Sequence, residues 1–575
     1  MSYHPHPITL PPGTSAPTGT PDRFEAFDLI SDEMVVTHDG ARLATDVYLP
    51  RGAQGPVPAI LTRLPYGKTV DFMGMAGHGA YWAKKGYAFV CQDVRGRFGS
   101  DGVFDAPLGS HEIADSHDTI DWIARQPWSN GRVGMWGESY YGFTAWCGAM
   151  SGHPALAAIC PADPAGFDLY DLFWRQGCYP LNVMGAWGLA MEGKGFLPFD
   201  GYDPWTLPLA DTPGPMAAPG RLYRDWLGHE TRGDFWADGD LRAYHDKIAV
   251  PVLLWGGWYD NIMGPWMADI LAVRAKSPNP ENKHLLVGPW DHESAPNYTG
   301  KVGAMEVGFH GVHRADTVQA FFDHYLAGID NGFDARPKTE IFVMGENAWR
   351  FEESWPPAAM VPTPYYLHGN GAANTRGGDG RLDTTPPGAE PADHYVYDPL
   401  DPVADTVGTE PWAAAAEMKD RRSIEDRPDV LCYSSAPLET ALEITGPIAM
   451  HLHAASSAVD TDFAVCLVDV FPDGHAHEIQ HGIVRASHRD PDAAPGPIEP
   501  GRIYAYEIDL WWTSHVVLPG HRLRLEITSS RFNAYARNLN SGEAVLTGCH
   551  PVMATQTIHH DRAFPSAIVL PVIPR

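Results

Sequence analysis

The sequence lacks any long hydrophobic run. Nowhere do about 18 consecutive apolar residues occur, so no segment is predicted to span a membrane. The first twenty residues, MSYHPHPITLPPGTSAPTGT, have neither a basic start nor an apolar stretch, and therefore do not resemble a secretory signal. The 7 cysteines are few, odd in number and scattered, which argues against a disulfide framework. We therefore expect a cytoplasmic protein with a tail at residues 1–24.

Positive charge is also scarce. The chain has 41 Lys and Arg against 71 Asp and Glu, a formal net charge of -30. A surface of this sign repels nucleic acid and anionic membranes, so neither is expected as a partner. The simplest interpretation of the acidic balance is solubility.

Aromatic and apolar residues, by contrast, are abundant: 44% of the chain is hydrophobic, with 19 Trp, 23 Tyr and 22 Phe. A chain of 575 residues is too long for one ordinary core, and roughly two to four domains are expected. Predicted strands and helices alternate over residues 25–164, which favours a parallel sheet covered on both faces. The predicted elements are a hairpin at 34–50, strands at 57–63, 87–92, 133–136 and 156–160, and helices at 75–85, 115–125 and 143–150.

Two later changes of pattern predict the domain boundaries. Residues 165–248 are rich in Trp, Pro, Gly and Asp, and they interrupt the alternation as an insertion would. The alternation resumes over 249–354, with strands within 250–260 and 283–292 and helices at 267–276 and 317–326. Beyond 355, short β-rich runs bounded by turn residues predict an antiparallel sandwich or jelly roll that extends to residue 575.

The stretch VGMWGESYYG, residues 133–142, is a candidate nucleophile elbow. It departs from G-x-S-x-G because the second glycine comes one residue late, and by itself it favours a structural turn over a catalytic one. The order Ser139, Asp260, His292 is that of an α/β-hydrolase, with each residue following a predicted strand. His292 would accept the serine proton and Asp260 would orient the imidazole. Asp291 is the alternative acid, but adjacent side chains rarely pair in this geometry.

Several motifs together resemble those of the bacterial cocaine esterase and X-prolyl dipeptidyl aminopeptidase family of serine hydrolases. They are PYGK (65–68), DVRGRFGSDG (93–102), GESYYG (137–142), GGWYDN (256–261) and GPWDH (288–292), and the resemblance continues through PGHRLRLEITSSRFNAYARN (519–538). The resemblance implies an α/β-hydrolase domain with an inserted helical cap and a C-terminal jelly roll. It also implies a Ser-His-Asp triad that needs no cofactor or metal.

Further site residues are implied by the same resemblance. The oxyanion hole would consist of the Tyr66 phenol and the backbone N–H of Tyr140, each donating to the developing oxyanion. Trp174 matches a cap tryptophan that lines the acyl pocket, and Trp412 lies where a jelly-roll loop contributes an aromatic, although either could be a core residue. The position two residues after the triad aspartate, which helps to set acyl specificity, is Ile262.

One motif points to different chemistry. His477-Glu478-Ile479-Gln480-His481 matches H-E-x-x-H, a zinc-protease signature that functions only on a helix. Its surroundings are strand-like, and on a strand the two histidines would be about 13 Å apart, too far to share one ion. We therefore expect no metal there. The pair His559-His560 is predicted at the surface or at a pocket rim.

The sequence thus predicts a serine hydrolase that cleaves small-molecule carboxylic esters through an acyl-enzyme, with amides as a further candidate substrate class. The alternatives are an acylase or aminopeptidase of the same family, or a non-catalytic jelly-roll protein that binds a ligand. Relatives that act on α-amino acid esters hold the substrate amine with acidic residues two and three positions after the triad aspartate. Here these positions are Ile262 and Met263, which disfavours that specificity. The resemblance also suggests a homodimer.

Overall fold

A computed structural model describes residues 21–105, 111–195, 203–212, 220–292, 299–405, 412, 415, 418–491 and 493–575. The predicted tail at 1–24 therefore lies mostly outside the described residues. No helix in this part of the chain is both long and apolar enough to cross a membrane.

A ten-stranded sheet forms the N-terminal half, in the order β1-β2-β4-β3-β5-β6-β7-β8-β11-β12. Its central strands, from β4 to β11, are parallel, and β1, β2 and β12 are antiparallel additions at the edges. The strands are β1 Phe27–Val36, β2 Arg42–Pro50, β3 Val57–Leu64, β4 Ala88–Asp93, β5 Ser129–Glu138, β6 Leu156–Ala162, β7 Val252–Gly257, β8 Lys283–Gly288, β11 Thr339–Val343 and β12 Ala348–Glu352; β9 Lys301–Val302 and β10 Met305–Glu306 form a separate ribbon.

The helices of this domain cover the sheet, as the alternation predicted. They are Met75–Lys85, Glu112–Ala124, Ser139–Met150, Met263–Lys276 and Gly311–Tyr325. Three of them begin four to six residues earlier than predicted, because Gly, Pro and Tyr near their starts are weak helix formers that hide the periodicity. Pro265 is tolerated in the first turn of its helix, where its missing N–H has no partner to lose.

The inserted region consists of short helical segments packed through aromatic rings. Trp187 stacks on Trp226 with ring centroids 5.2 Å apart, and Phe173 lies 4.5 Å from Trp226. Short elements fit a region whose sequence is rich in Pro and Gly. The segments are Leu169–Phe173, Leu181–Gly185, Ala186–Ala190, Leu209–Asp211, Arg221–Gly228, Asp234–Ala237 and Arg242–Lys247. Single turns elsewhere in the described residues include Asp71–Met73, Pro280–Asn282, Phe333–Ala335 and Ala486–His488.

The C-terminal region is a second, mostly antiparallel sheet system of eleven strands with its own buried aliphatic core. The all-β prediction is confirmed, and the jelly-roll connectivity stays a prediction. The surface prediction for His559-His560 is wrong for His560, which is 1% exposed with Nε2 2.8 Å from Asp393 Oδ2. The strands are β13 Val361–His368, β14 Arg381–Asp383, β15 Asp393–Tyr397, β16 Leu431–Ser434, β17 Leu442–Ser456, β18 Asp462–Val470, β19 Ala476–Arg485, β20 Tyr504–Val517, β21 Arg522–Thr528, β22 Ala554–His559 and β23 Ala567–Ile573, with one helical turn at Arg422–Glu425.

Arg175 joins the cap to this β domain. Its guanidinium lies 3.6 Å from the ring centroid of Trp511 and donates from Nη1 to the Tyr535 hydroxyl at 2.7 Å. Nη2 donates to the backbone carbonyls of His481 and Asp509. The cap is therefore held against the β domain by charge-assisted hydrogen bonds and a cation–π contact.

Candidate active site

Ser139 lies at a sharp turn between β5 and a helix. Its φ is 55°, a left-handed conformation that non-glycine residues rarely adopt. The late glycine of GESYYG has a packing reason: a Cβ on Gly142 would meet the carbonyl oxygen of Ala162 at 2.8 Å. A Cβ on Gly137 would likewise meet the carbonyl oxygen of Tyr141 at 2.3 Å. The two glycines thus let the helix approach the sheet closely while Ser139 stays partly exposed.

Asp260 and His292 follow β7 and β8, and the structure brings them together. Nδ1 of His292 is 2.8 Å from Oδ1 of Asp260, and both side chains are buried. The alternative acid, Asp291, points elsewhere and accepts a 2.8 Å hydrogen bond at Oδ2 from the backbone N–H of Ala415. This arrangement favours Asp260 over Asp291 as the partner of the histidine.

Asp260 receives two further donors that the sequence did not reveal. The indole N–H of Trp266 donates to Oδ2 at 2.6 Å, and the backbone N–H of Ile262 donates to Oδ1 at 3.3 Å. Hydrogen bonds to a carboxylate stabilise its charged form. The spacing of Trp266 within its helix gave no signal, because the contact depends on where the preceding loop places that helix.

Asp163 is a second buried acid close to Asp260, at the end of β6. Its Oδ1 accepts a 3.1 Å hydrogen bond from the backbone N–H of Gly257, and the residue is 1% exposed. Burial, followed by the nearby charge of Asp260, raises the pKa of Asp163 well above its usual range. Burial thus favours the neutral form of the Asp163 carboxyl group. A polar residue at the end of a predicted strand was the only sequence signal for it.

Tyr140 offers its backbone rather than its side chain. It is the second residue of its helix, where an N–H has no partner within the helix. Its ring is turned into the core, and its hydroxyl donates to Oε1 of Glu112 at 2.9 Å. Burial, then the charge of Glu112, raises the pKa of this phenol well above its usual range. The N–H lies at the positive end of the helix dipole, where it suits a developing oxyanion.

Tyr66 follows β3 and lies beside the same turn. The residue is 9% exposed, and its ring makes an edge contact with Tyr141 at a centroid distance of 6.3 Å. Tyr141 also donates from its hydroxyl to Oε2 of Glu138 at 3.4 Å. The ring of Tyr66 thus lies beside Tyr141, two residues after Ser139, and its oxyanion role stays a prediction.

The three predicted pocket residues have different surroundings. The ring of Trp412 lies 4.8 Å from that of His292, and Ile262 is 5% exposed next to Asp260. Trp174 is fully buried, with its indole N–H donating to the carbonyl of Trp226 at 3.2 Å. This is the environment of a core tryptophan in the cap, and its role in an acyl pocket stays a prediction.

The H-E-x-x-H segment lies on β19, which confirms the predicted strand. Glu478 is bound by Arg421 and by Arg531, at 2.9 and 3.1 Å, and His481 Nδ1 is 2.8 Å from its Oε1. The side chains are thus part of a buried ion network. Of the described His, Cys, Asp and Glu residues, one group has ligand atoms close enough for a metal ion: the exposed Glu543, Cys549 and His550.

Comparison with known proteins identifies the family of the chain. Residues 39–294 match the model of the X-Pro dipeptidyl-peptidase S15 family, and residues 331–569 match the C-terminal non-catalytic domain of X-Pro dipeptidyl-peptidases. The chain is 39% identical to the cocaine esterase of Rhodococcus sp. (strain MB1 Bresler), over 96% of this chain and 99% of that protein. The chain belongs to the S15 family.

Two solved structures share this fold over nearly the whole chain. An α-amino acid ester hydrolase is 27% identical with a TM-score of 0.83, and the comparison covers 98% of this chain and 100% of that one. An aminopeptidase from a Thaumarchaeota archaeon of marine sediment is 26% identical with a TM-score of 0.82, covering 100% of both chains. The protein is therefore an α/β-hydrolase of the S15 family with a C-terminal β domain, and a hydrolytic enzyme.

Proposed function

We propose that the protein hydrolyses small-molecule carboxylic esters with Ser139 as nucleophile, His292 as general base and Asp260 as the acid that orients the histidine. The observation that carries the proposal is the 2.8 Å contact between His292 and Asp260, which follow β8 and β7 of the same sheet in which Ser139 follows β5 in a strained turn. The cocaine esterase relative and the ester hydrolase neighbour support ester cleavage.

The reaction has two acyl-transfer steps. Ser139 Oγ attacks the ester carbonyl while His292 takes its proton, and the oxyanion accepts hydrogen bonds from the Tyr140 N–H and the Tyr66 hydroxyl. When the intermediate collapses, the C–O bond to the alcohol breaks and His292 gives the alcohol its proton. Water then attacks the acyl-enzyme with the same base, which releases the acid and restores Ser139.

We propose that the part of the substrate acyl group that lies near Asp260 carries no charge. Ile262 and Met263, which follow the aspartate, are apolar, and they are 5% and 0% exposed. A substrate ammonium placed there would lose its hydration without gaining a carboxylate partner. Methyl phenylacetate is therefore expected to have a higher kcat/KM than methyl phenylglycinate, which differs by one amine. The reverse preference would favour the α-amino acid specificity of the ester hydrolase neighbour.

Removal of the nucleophile tests the assignment. Ser139→Ala should lower kcat for p-nitrophenyl esters by about 10⁶-fold. Ser151→Ala is the matched control, because Ser151 follows the same helix and its hydroxyl donates to the carbonyl of Gly148 and accepts from the backbone N–H of His153. An organophosphonate should label the wild type at Ser139, as mapped by peptide mass. Near-normal turnover of Ser139→Ala, or labelling elsewhere, would overturn the proposal.

Amide hydrolysis is the second candidate, because one of the two similar structures is an aminopeptidase. It requires the same groups, with His292 protonating a poorer leaving group. Matched p-nitrophenyl butyrate and butyryl p-nitroanilide separate the two activities, and the ester is expected to react faster.

We further propose a cytoplasmic location and a homodimer; the free thiols of all 7 cysteines support a reducing compartment.

A further inference from the structure

Gln480, the fourth residue of the H-E-x-x-H segment, joins the β domain to the catalytic domain. Its Nε2 donates to the carbonyl oxygen of Trp258 at 2.8 Å and to that of Trp512 on β20 at 3.0 Å. A side-chain amide nitrogen carries two hydrogens, so both bonds form at once. The amide oxygen accepts from the backbone N–H of His481 at 3.3 Å. One uncharged side chain thus uses both ends of its amide.

This amide binds the loop that leads from β7 to the acid of the proposed triad. The backbone N–H of Trp258 donates to the carbonyl of Gly288 at 3.0 Å. The N–H of the next residue, Tyr259, donates to the carbonyl of Trp290 at 3.0 Å. Gly288 and Trp290 belong to the segment that leads to the histidine of the triad. The loop is therefore bonded to the histidine segment through its N–H groups and to the β domain through a carbonyl.

Tryptophan rings surround the place where the two domains meet. The ring centroid of Trp355 is 5.7 Å from that of Trp258 and 5.9 Å from that of Trp512. Trp258 is 0% exposed and Gln480 is 6% exposed, and the hydrogen bond between them is buried. A buried carbonyl that loses its donor stays unpaired unless the backbone moves, because water does not reach it. The amide of Gln480 is therefore hard to replace.

The same strand makes a second contact with the loop. The hydroxyl of Tyr259 lies 3.3 Å from Nε2 of His477 on β19. This distance is long for a hydrogen bond that involves a hydroxyl group, so the contact is weaker than that of the amide. β19 thus contacts two consecutive residues directly before Asp260, and Gln480 makes the shorter of the two contacts.

We propose that Gln480 is a positioning residue for the proposed triad. By fixing Trp258, two residues before Asp260, it holds the carboxylate at its distance from His292. The inference rests on the triad assignment in the proposed function. The β domain, which matches a domain model described as non-catalytic, would contribute to turnover in this way without contact with the substrate.

The expected effect is kinetic because proton transfer depends strongly on geometry. A catalytic group acts within hydrogen-bond reach, and a misplacement of about 1 Å costs up to about 10²-fold in rate. Without the amide, the loop would move to satisfy the freed carbonyl of Trp258, and Asp260 would move with it. Substrate binding should change little, since the buried Gln480 offers almost no surface to a ligand.

The first test is Gln480→Met, which keeps the length of the side chain and removes both donors. With p-nitrophenyl butyrate, it should lower kcat by about 10–100-fold and change KM by less than about twofold. Gln556→Met is the matched control, because Gln556 is 0% exposed on β22 and donates to Thr461 Oγ1 at 2.9 Å within the β domain. It should lower Tm and leave kcat near that of wild type.

A double-mutant cycle tests whether Gln480 acts through Asp260. Asp260→Asn removes the carboxylate, so the exact place of its loop no longer decides kcat. Gln480→Met added to Asp260→Asn should therefore lower kcat by less than about a further twofold. A loss as large in this background as in wild type would overturn the inference, because Gln480 would then act by another route.

Three other results would also overturn it: unchanged kcat in folded Gln480→Met, a rise of KM at constant kcat, or equal losses of kcat in Gln480→Met and Gln556→Met. If Gln480→Met does not fold, Gln480→Asn keeps the amide but is one methylene shorter and cannot reach both carbonyls unless the backbone moves. Its kcat should fall by at least about threefold, and an unchanged kcat refutes the inference. Failure of the proposed function is recognised separately, by near-normal turnover of Asp260→Asn itself.

Discussion

Two clusters of acids and histidines in this protein contain the same residue types but have different roles. At one edge of the first sheet, Asp260 binds His292 and Trp266, and the partly exposed Ser139 follows β5 of the same sheet. On β19, Glu478 is enclosed by Arg421 and Arg531. Burial opposes the ionisation of Glu478, but these two guanidinium groups outweigh it and hold its pKa well below the usual range. The difference shows what separates a catalytic carboxylate from a structural one. A catalytic carboxylate is hydrogen-bonded to a group that can take part in the reaction, as Asp260 is to His292. A carboxylate surrounded by arginines, such as Glu478, stabilises the fold.

Within this comparison, the largest expected effect tests the cluster of Asp260 and His292. Asp260→Asn should lower kcat by about 10⁴-fold, because the amide holds the imidazole in the wrong tautomer. Asp291→Asn is the matched variant, since Asp291 contacts a backbone N–H instead of the histidine. Ester kinetics of the two proteins should differ by orders of magnitude. Equal losses would remove the reason to prefer Asp260.

The complementary change tests the β19 cluster. Glu478→Gln leaves Arg421 and Arg531 without their shared counter-charge, and should lower the free energy of unfolding by about 3–5 kcal/mol. The kcat of the folded protein should stay near that of wild type. Urea denaturation and ester kinetics measure both quantities. Glu499→Gln, at an exposed ion pair, should change stability little. A large loss of kcat in folded Glu478→Gln would make the cluster functional.

Tyr66 should show an effect smaller than that of Asp260. Tyr66→Phe removes one oxyanion donor and should lower kcat by roughly 10²–10³-fold with little change in KM. Tyr81→Phe is a control, because its hydroxyl bonds to Gln319 away from the elbow. If KM rose while kcat stayed constant, Tyr66 would bind the ground state and the predicted oxyanion role would be wrong.

The smallest effect is a pH dependence of stability at β19. Burial, with the neighbouring charge of Arg531, lowers the pKa of His481 to about 4. The unfolded value is about 6.5, so between these values the unfolded chain binds a proton that the folded chain does not. The contribution of His481 to the free energy of unfolding should therefore be fully present above about pH 6.5 and should decline as the pH falls toward about 4. His481→Gln should lose less Tm than wild type between pH 7.5 and 5.0; equal losses would contradict this.

The sequence predicted most of the sheet and its helices because the apolar periodicity of buried strands is local. It failed at helix starts and at His560, where packing outweighs propensity. It also predicted that Ser139, Asp260 and His292 follow strands at one edge of the sheet, because the carboxyl ends of parallel strands meet there. Trp266 and Asp163 were missed because their contacts with Asp260 join elements that are distant in the chain.

By itself, the sequence determined the fold class, the family motifs and the strand that carries His477 and His481. Only the tertiary structure decided which acid contacts His292, why the second glycine of GESYYG comes late, and which charges are compensated. Periodicity and turn chemistry act over a few neighbouring residues, and so they can be read along the chain. Hydrogen-bond partners and close backbone approaches depend on the final placement of whole elements, and Gly142 against Ala162 is the clearest case.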